Sequence, residues 1–395
     1  MAKIVFFGIP AHGHTNPTLG VVRELVSRGH QVWYYSYNMM RERIESAGAA
    51  FISCDDGMEQ KLSPKDAVRV GKDLAFSTKI LVDTTLALDE KVCADMKQLR
   101  PDCIVADSMA VWGKAVAMKL GIPFVASTTT FAFNQHSARI MKQSAGEMLR
   151  MLFSMPAISR QIKRLQKKDY PVKSVLDILQ NDDNTHTVVY TSPEFQPSSE
   201  TFSDKYAFVG PSIRPAAEPV EKKRDKLIYI SMGTVNNDMM PLYKRCLSAL
   251  ADTDYQVIMS VGSLVPIAEF GALPENISVF PYVDQIAVLQ QADAFVSHCG
   301  MNSASESLYF GVPLVMLPQT SEQGGVAERV YQLGAGIKLG KSDAASILSV
   351  IHSILADSTY RQNANAVAAG FRRCPGAKGA ADKIMQVCET AHPKG

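Results

Sequence analysis

The sequence has no apolar run long enough to cross a bilayer, no cysteines at metal-binding spacing and no marked excess of either charge. Each lack removes a class of function. A membrane-spanning helix needs about 18 or more consecutive apolar residues, so no span is expected. The seven cysteines are scattered and odd in number, with no CxxC or Cys/His zinc pattern. Reduced thiols in a cytoplasm are their simplest account, and no metal site is expected. A net charge of +2 provides no field for general nucleic-acid binding. The chain runs from Met1-Ala2-Lys3 straight into a strand pattern, without signal-peptide anatomy. No P-loop is present, and Gly334-Ala335-Gly336 lacks the third glycine of a dinucleotide fingerprint, which disfavours a dinucleotide oxidoreductase. What remains is 395 residues, 46% hydrophobic and 20% charged. That is a globular composition at a length that favours two domains.

One stretch, 295–323, is rich in chemistry. Ala294-Phe295-Val296 reads as the end of a buried strand, His298-Cys299-Gly300-Met301-Asn302-Ser303 as a polar turn, and a helical pattern follows until Gly311-Val312-Pro313 stops it. Leu314 to Leu317 form a second short strand, so the unit is a parallel crossover. The helix start is an anion site by its free N–H groups and partial positive charge. Gly300 allows close backbone approach, and His298 stands at the strand's carboxyl end, where open α/β sheets bind ligands. Glu306, one turn beyond Asn302, can accept hydrogen bonds from paired hydroxyls such as those of a ribose. Ser303-Ala304-Ser305-Glu306 also spells a capping box, which would explain Ser303 and Glu306 without any ligand. His298 and Gly300 tip the reading towards a ligand.

The amino-terminal end has a similar plan. Ile4 to Ile9 is a buried strand, followed by Pro10-Ala11-His12-Gly13-His14-Thr15-Asn16-Pro17. Asn16 is a good N-cap and Pro17 suits a first helical position, so a helix is expected from there to Gly29. Gln31 to Tyr35 completes a βαβ unit. His14 lies at the ligand-binding edge, and an imidazole of ordinary pKa suits base catalysis near neutrality. Pro101 to Asp107 is another strand ending in a carboxylate. Asp107 is either an N-cap for the next helix, a partner for His14, or both. Residues 38–98 read as mostly helical flanking structure, and Asp252-Thr253-Asp254 as a turn at the amino end of a strand rather than a metal site.

His298-Cys299-Gly300-Met301-Asn302-Ser303-Ala304-Ser305-Glu306, with Glu322-Gln323 further on, resembles the donor signature H-C-G-W-N-S-x-x-E…D/E-Q of family 1 nucleotide-sugar glycosyltransferases of the bacterial macrolide and plant secondary-product type. The resemblance covers nearly the whole chain. It implies the GT-B fold, an α/β architecture of two Rossmann-like domains facing each other across a cleft. It also implies that His298, Gly300, Asn302 and Ser303 hold the diphosphate, Glu306 the ribose, and Glu322 and Gln323 the sugar hydroxyls. The family pattern H/Q-G-H-x-N-P makes His14 the catalytic base, His12 a supporting residue of the acceptor side and Asn16 a neighbour of the donor, with Asp107 orienting His14. Gly233-Thr234 would meet the donor phosphates. Tyr282-Val283-Asp284-Gln285 corresponds to the family's W-x-P-Q element, where an aromatic stacks on uracil and the next backbone reads its edge. Tyr stands here for Trp and Asp for Pro.

The acceptor side is less specific. Phe131, Phe133, Met141 and Met148 belong to an apolar stripe that is expected to wall an adaptable pocket. The stretch 159–168 reads as an amphipathic helix with a solvated basic face. Proline and charge over 214–226 mark a linker. The expected organisation is an acceptor-binding domain over 1–213, a donor-binding domain over 227–376, and a final helix within 377–395 that crosses back to the first. The expected reaction is inverting transfer of a hexose, glucose from UDP-glucose, to a hydroxyl of a small hydrophobic acceptor such as a macrolide, flavonoid or other polyphenol. A UDP-sugar is then the co-substrate, with no resident cofactor. The rival readings are a nucleotide-sugar epimerase, a transferase for lipid or cell-wall acceptors, and a non-catalytic nucleotide-sugar sensor.

Overall fold

The computed structural model describes residues 1–55, 69, 73–140, 145–182, 184–233 and 239–391. Thr234 and Met141 lie outside the described residues, as does the side chain of Met148.

Among the described residues the strands form two sheets, all of whose pairings are parallel. The first contains β1 (Lys3–Phe7), β2 (Gln31–Ser36), β3 (Ala50–Ser53), β4 (Cys103–Asp107), β5 (Phe124–Thr128), β6 (His186–Val189) and β7 (Tyr206–Phe208), in the order β3-β2-β1-β4-β5-β6-β7. The second contains β8 (Leu227–Ser231), β9 (Gln256–Ser260), β10 (Ile277–Phe280), β11 (Ala294–Ser297), β12 (Leu314–Met316) and β13 (Gly336–Lys338), in the order β10-β9-β8-β11-β12-β13. Strand order reverses beside β1 in one sheet and beside β8 in the other. Those are the switch points at which the loops after adjacent strands part and leave a crevice. Strands such as Ile4-Val5-Phe6-Phe7 are apolar without alternation because helices cover both faces and every side chain is buried.

The reading of residues 38–98 as helical missed β3. Ala50-Phe51-Ile52-Ser53 is only four residues long and half-buried at a sheet edge, so its apolar signal is short and weak. No helix or strand lies between Phe208 and Leu227. The helix Gly376–Ala391 returns to the first sheet, where Ala380, Ala381, Ile384, Val387 and Cys388 pack with Ile4, Phe6, Leu19 and Val22. Among the described residues no helix is long and apolar enough to cross a membrane.

Phe131 corrects an expectation. It is 2% exposed, and its ring packs 5.5 Å from Phe195, which in turn meets Phe371 at 5.4 Å. These three rings belong to the core of the second sheet rather than walling an open pocket, and Phe133 is only partly buried against that core. Apolar periodicity cannot tell a pocket wall from a core, and here burial between the halves prevails. The same stripe does leave Phe153 and Met155 exposed, while Ile158, Ile162 and Leu165 are buried as their spacing predicts.

Because Ile384 is 1% exposed at the seam between the final helix and the first sheet, Ile384→Ala should destabilise that half by about 2–5 kcal/mol. Urea unfolding followed by fluorescence would read this as an earlier midpoint.

Candidate active site

Strands β1 and β4 are neighbours in register, with Phe7 beside Ala106, so the residues that follow them emerge together at the carboxyl edge. The first helix does not start at Asn16. It runs His12–Ser27 with Ala11 at its N-cap, and Pro17 lies inside it. The N–H groups of His14 and Thr15 both bond to the Ala11 carbonyl, at 3.1 and 3.0 Å, which closes a turn ahead of Asn16 and overrides its capping preference. His12, Gly13 and His14 therefore form the first helical turn and are held rigidly. Asn16 lines the interdomain cleft, its amide oxygen 3.5 Å from an Arg43 nitrogen.

His14 Nδ1 lies 3.0 and 2.9 Å from the two carboxylate oxygens of Asp107. A carboxylate only accepts, so Nδ1 carries the proton and Nε2 is left with its lone pair. Thr129 Oγ1 is a further neighbour of Nδ1 at 3.1 Å. Asp107 is itself fixed by the Met109 N–H at 2.8 Å, so it caps the local turn and pairs with the histidine at once. Burial alone would lower the pKa of His14. The Asp107 charge and hydrogen bond, with help from Glu322, outweigh it and leave the pKa raised above 6.5.

The second half supplies the cradle. β11 ends at Ser297, Cys299 takes a left-handed conformation at φ 60°, and Gly300 caps the helix Met301–Tyr309. No side chain caps this helix, so the capping-box reading of Ser303 and Glu306 does not hold. Ser303 sits within the first turn. The His298 ring is clasped between Gly233 and Gly300: a Cβ on either would come within 2.6 Å of it. Gly233, at φ +82°, needs glycine twice over, for space and for conformation. Burial lowers the His298 pKa to about 4, although the Ser231 backbone favours the protonated form. His298 is therefore a neutral ring, able to give one hydrogen bond but no charge. Its Nδ1 is buried without a partner of good hydrogen-bond geometry.

Glu306 accepts from Gln285 Nε2 at 2.5 Å, and Gln285 Oε1 accepts from Tyr229 at 3.2 Å. Burial raises the Glu306 pKa, opposed by Gln285 and the nearby Arg214 charge. Asp284, which stands where the family motif has proline, caps the helix Gln285–Leu289 and pairs with Arg214 of the connecting segment at 2.5 Å. Neither Arg214 nor this role of Asp284 was read from the sequence, because the pair is 70 residues apart. Tyr282 is 60% exposed at the rim, its hydroxyl 3.2 Å from Ser263 Oγ, and Val283 packs behind it. The Gln323 side-chain oxygen accepts from the Gln319 N–H at 2.8 Å.

The two halves meet. Asn302 Nδ2 donates to the Gly13 carbonyl at 2.9 Å, and Thr130 Oγ1 donates to Glu322 Oε1 at 3.3 Å. Glu322 lines the cleft with its side chain exposed to solvent, and the crowding of protein around it raises its pKa against the pull of His14. Asn16, Pro17, Asn302, Ser305 and Glu306 line one narrow crevice with Tyr190 and Pro211–Ile213. Thr129 and Thr130 were missed, although their place just after β5, one strand over from Asp107, was the available signal. His12 is half-buried with Nδ1 unpartnered, and burial and Arg43 lower its pKa. Among the described residues no three or more His, Cys, Asp or Glu side chains gather as a metal site.

Residues 244–387 match the family of erythromycin biosynthesis protein CIII-like C-terminal domains. The uncharacterized UDP-glucosyltransferase YojK of Bacillus subtilis is 30% identical over 98% of this chain and 97% of its own length. The chain belongs to the family 1 GT-B glycosyltransferases. The demethyllactenocin mycarosyltransferase of Streptomyces fradiae is 29% identical over 97% of this chain and 86% of its own. Among solved structures, the calicheamicin glycosyltransferase CalG4 superposes over the whole of both chains with a TM-score of 0.81 and 26% identity.

A base must be neutral to take a proton, so activity should fall as pH drops through the raised His14 value, with an acidic limb above 6.5. In Asp107→Asn that limb should move to lower pH and the plateau of kcat/KM should fall by about 10²-fold, both read from one pH–rate profile.

Proposed function

We propose that this glycosyltransferase moves a hexose, glucose from UDP-glucose, with inversion to a hydroxyl of a small hydrophobic acceptor of the macrolide, flavonoid or polyphenol kind. The observation that carries the reading is the meeting of an Asp-held imidazole from one half and an uncapped helix start from the other in a single cleft. Asp107 keeps the proton on His14 Nδ1, and Nε2 removes the acceptor's hydroxyl proton. The acceptor oxygen then attacks the anomeric carbon from the face opposite the diphosphate. The C–O bond to the diphosphate breaks with its electron pair going to the nucleotide, and the configuration inverts.

The leaving diphosphate gathers charge where Gly300, Asn302 and Ser303 offer helix-start N–H groups and His298 a neutral donor. That electrostatic term is fixed in place before reaction. It is the reason a divalent metal is not required in this proposal. Gly233 and Thr234 complete the phosphate side. Glu306 accepts the ribose hydroxyls, Tyr282 stacks on the base with Val283 and Gln285 at its edge, and Glu322 and Gln323 bind the sugar. The uridine nucleotide and glucose draw support from the Bacillus relative's name. An acceptor of the polyketide natural-product kind draws support from the mycarosyltransferase. His12, Met141 and Met148 are assigned to the acceptor side. The reaction is assigned to the cytoplasm, where scattered thiols stay reduced, with no nucleic-acid partner and no stable membrane insertion.

Mass spectrometry of UDP-glucose, UDP-galactose and dTDP-glucose, each against a flavonoid, a macrolide and a lipid acceptor, tests donor and acceptor together. Transfer should be strongest from UDP-glucose to the first two and unchanged in EDTA. A new sugar isomer formed from donor alone would instead mark an epimerase. His14→Ala should lose about 10²- to 10⁴-fold in kcat while UDP affinity, measured by calorimetry, stays at the parent value. Unaltered turnover would remove His14 as the base.

A further inference from the structure

Pro17 is the sixth residue of the helix His12–Ser27, a position where proline is ordinarily unfavourable because it removes a helical hydrogen bond. The bond it removes would run from N–H 17 to the Gly13 carbonyl, four residues back. That carbonyl instead accepts from Asn302 Nδ2 of the opposite domain at 2.9 Å. Gly13 and Asn302 are each the second residue of their helices, so the bond joins two helix N-termini head to head. His14 directly follows Gly13 and shares its turn. A side-chain amide nitrogen has two protons, so Asn302 can serve Gly13 with one and a phosphate oxygen with the other.

We infer that Pro17 is a positioning residue for the transfer: by withholding its N–H it reserves the Gly13 carbonyl for Asn302, and so holds the His14 turn in register with the phosphate cradle. The inference rests on the function proposed above for its catalytic consequence, though not for the contact itself. Any residue with an N–H at position 17 lets the first helix close its own bond onto Gly13. The carbonyl's two lone pairs can take both donors, but the helical bond draws the carbonyl towards the helix axis and weakens the cross-domain one. The two helix ends, both partly positive, then lose the contact that holds them together. The proline ring also crowds that carbonyl; we assign the effect to the missing proton, and a lactic acid residue, with neither ring nor N–H, separates the two.

The test compares Pro17→Ala with a chain carrying lactic acid at position 17, which has the alanine side chain but an ester oxygen in place of N–H. Pro17→Ala should lower kcat about tenfold or more, with UDP affinity held within about threefold. The lactic acid chain should stay close to the parent. Paired spin labels, one on each domain, measured without any donor, should show a longer and broader distance in Pro17→Ala only. The inference is overturned if the alanine and lactic acid chains behave alike, or if Pro17→Ala matches the parent in its distance distribution. A parent protein that transfers no sugar from any donor would sink the proposed function instead, and the spin-label comparison would then decide the role of Pro17 by itself.

Discussion

Two helix N-termini are brought face to face across one cleft, and most of what is unusual in this chain follows from holding two partly positive ends together. The first turn of His12–Ser27 and the first turn of Met301–Tyr309 meet through Gly13 and Asn302. Partial positive charges at both ends oppose that approach and at the same time define the group that would relieve it, an anion lying between them. Neither domain alone has this geometry. It exists because the second half docks on the first through Phe131, Phe195 and Phe371 and because the last helix packs against the first sheet.

The ionisable groups are arranged around that field. Asp107 is buried and tied to His14 and to a backbone N–H, so it holds the imidazole in one tautomer and orientation. His298 is clasped between glycines and kept neutral by burial, so it adds no positive charge beside the helix end. Glu306 and Glu322 are carboxylates whose surroundings raise their pKa, each on a polar partner, Gln285 in one case and Thr130 in the other. The Arg214–Asp284 pair ties the segment between the domains to the short helix Gln285–Leu289. The same residue substitution that departs from the family's donor motif thus gains a structural role.

Much was legible in the residues. The parallel βαβ units and the strand-turn-helix at 295–309 followed from local apolar runs, and the strand ends put His14 and Asp107 at one edge of the sheet. That the two pair was what the family resemblance implied. What escaped had physical causes of its own. β3 was too short for its pattern to stand out. The first helix began at His12 because backbone bonds to Ala11 closed a turn that the capping preference of Asn16 placed later. Phe131 was read as pocket wall, and burial between the halves made it core.

The sequence by itself determined the two parallel sheets, because buried parallel strands must be apolar throughout and their crossovers must be helices. It also determined which residues stand at the carboxyl ends of those strands, since the chain has to turn there. Only the tertiary structure decided that Gly13 meets Asn302, that Thr130 reaches Glu322 and that Arg214 closes on Asp284. Each of these contacts joins segments tens to hundreds of residues apart. Local patterning carries no information about which distant polar groups will share a cleft, because that is set by how two finished domains pack.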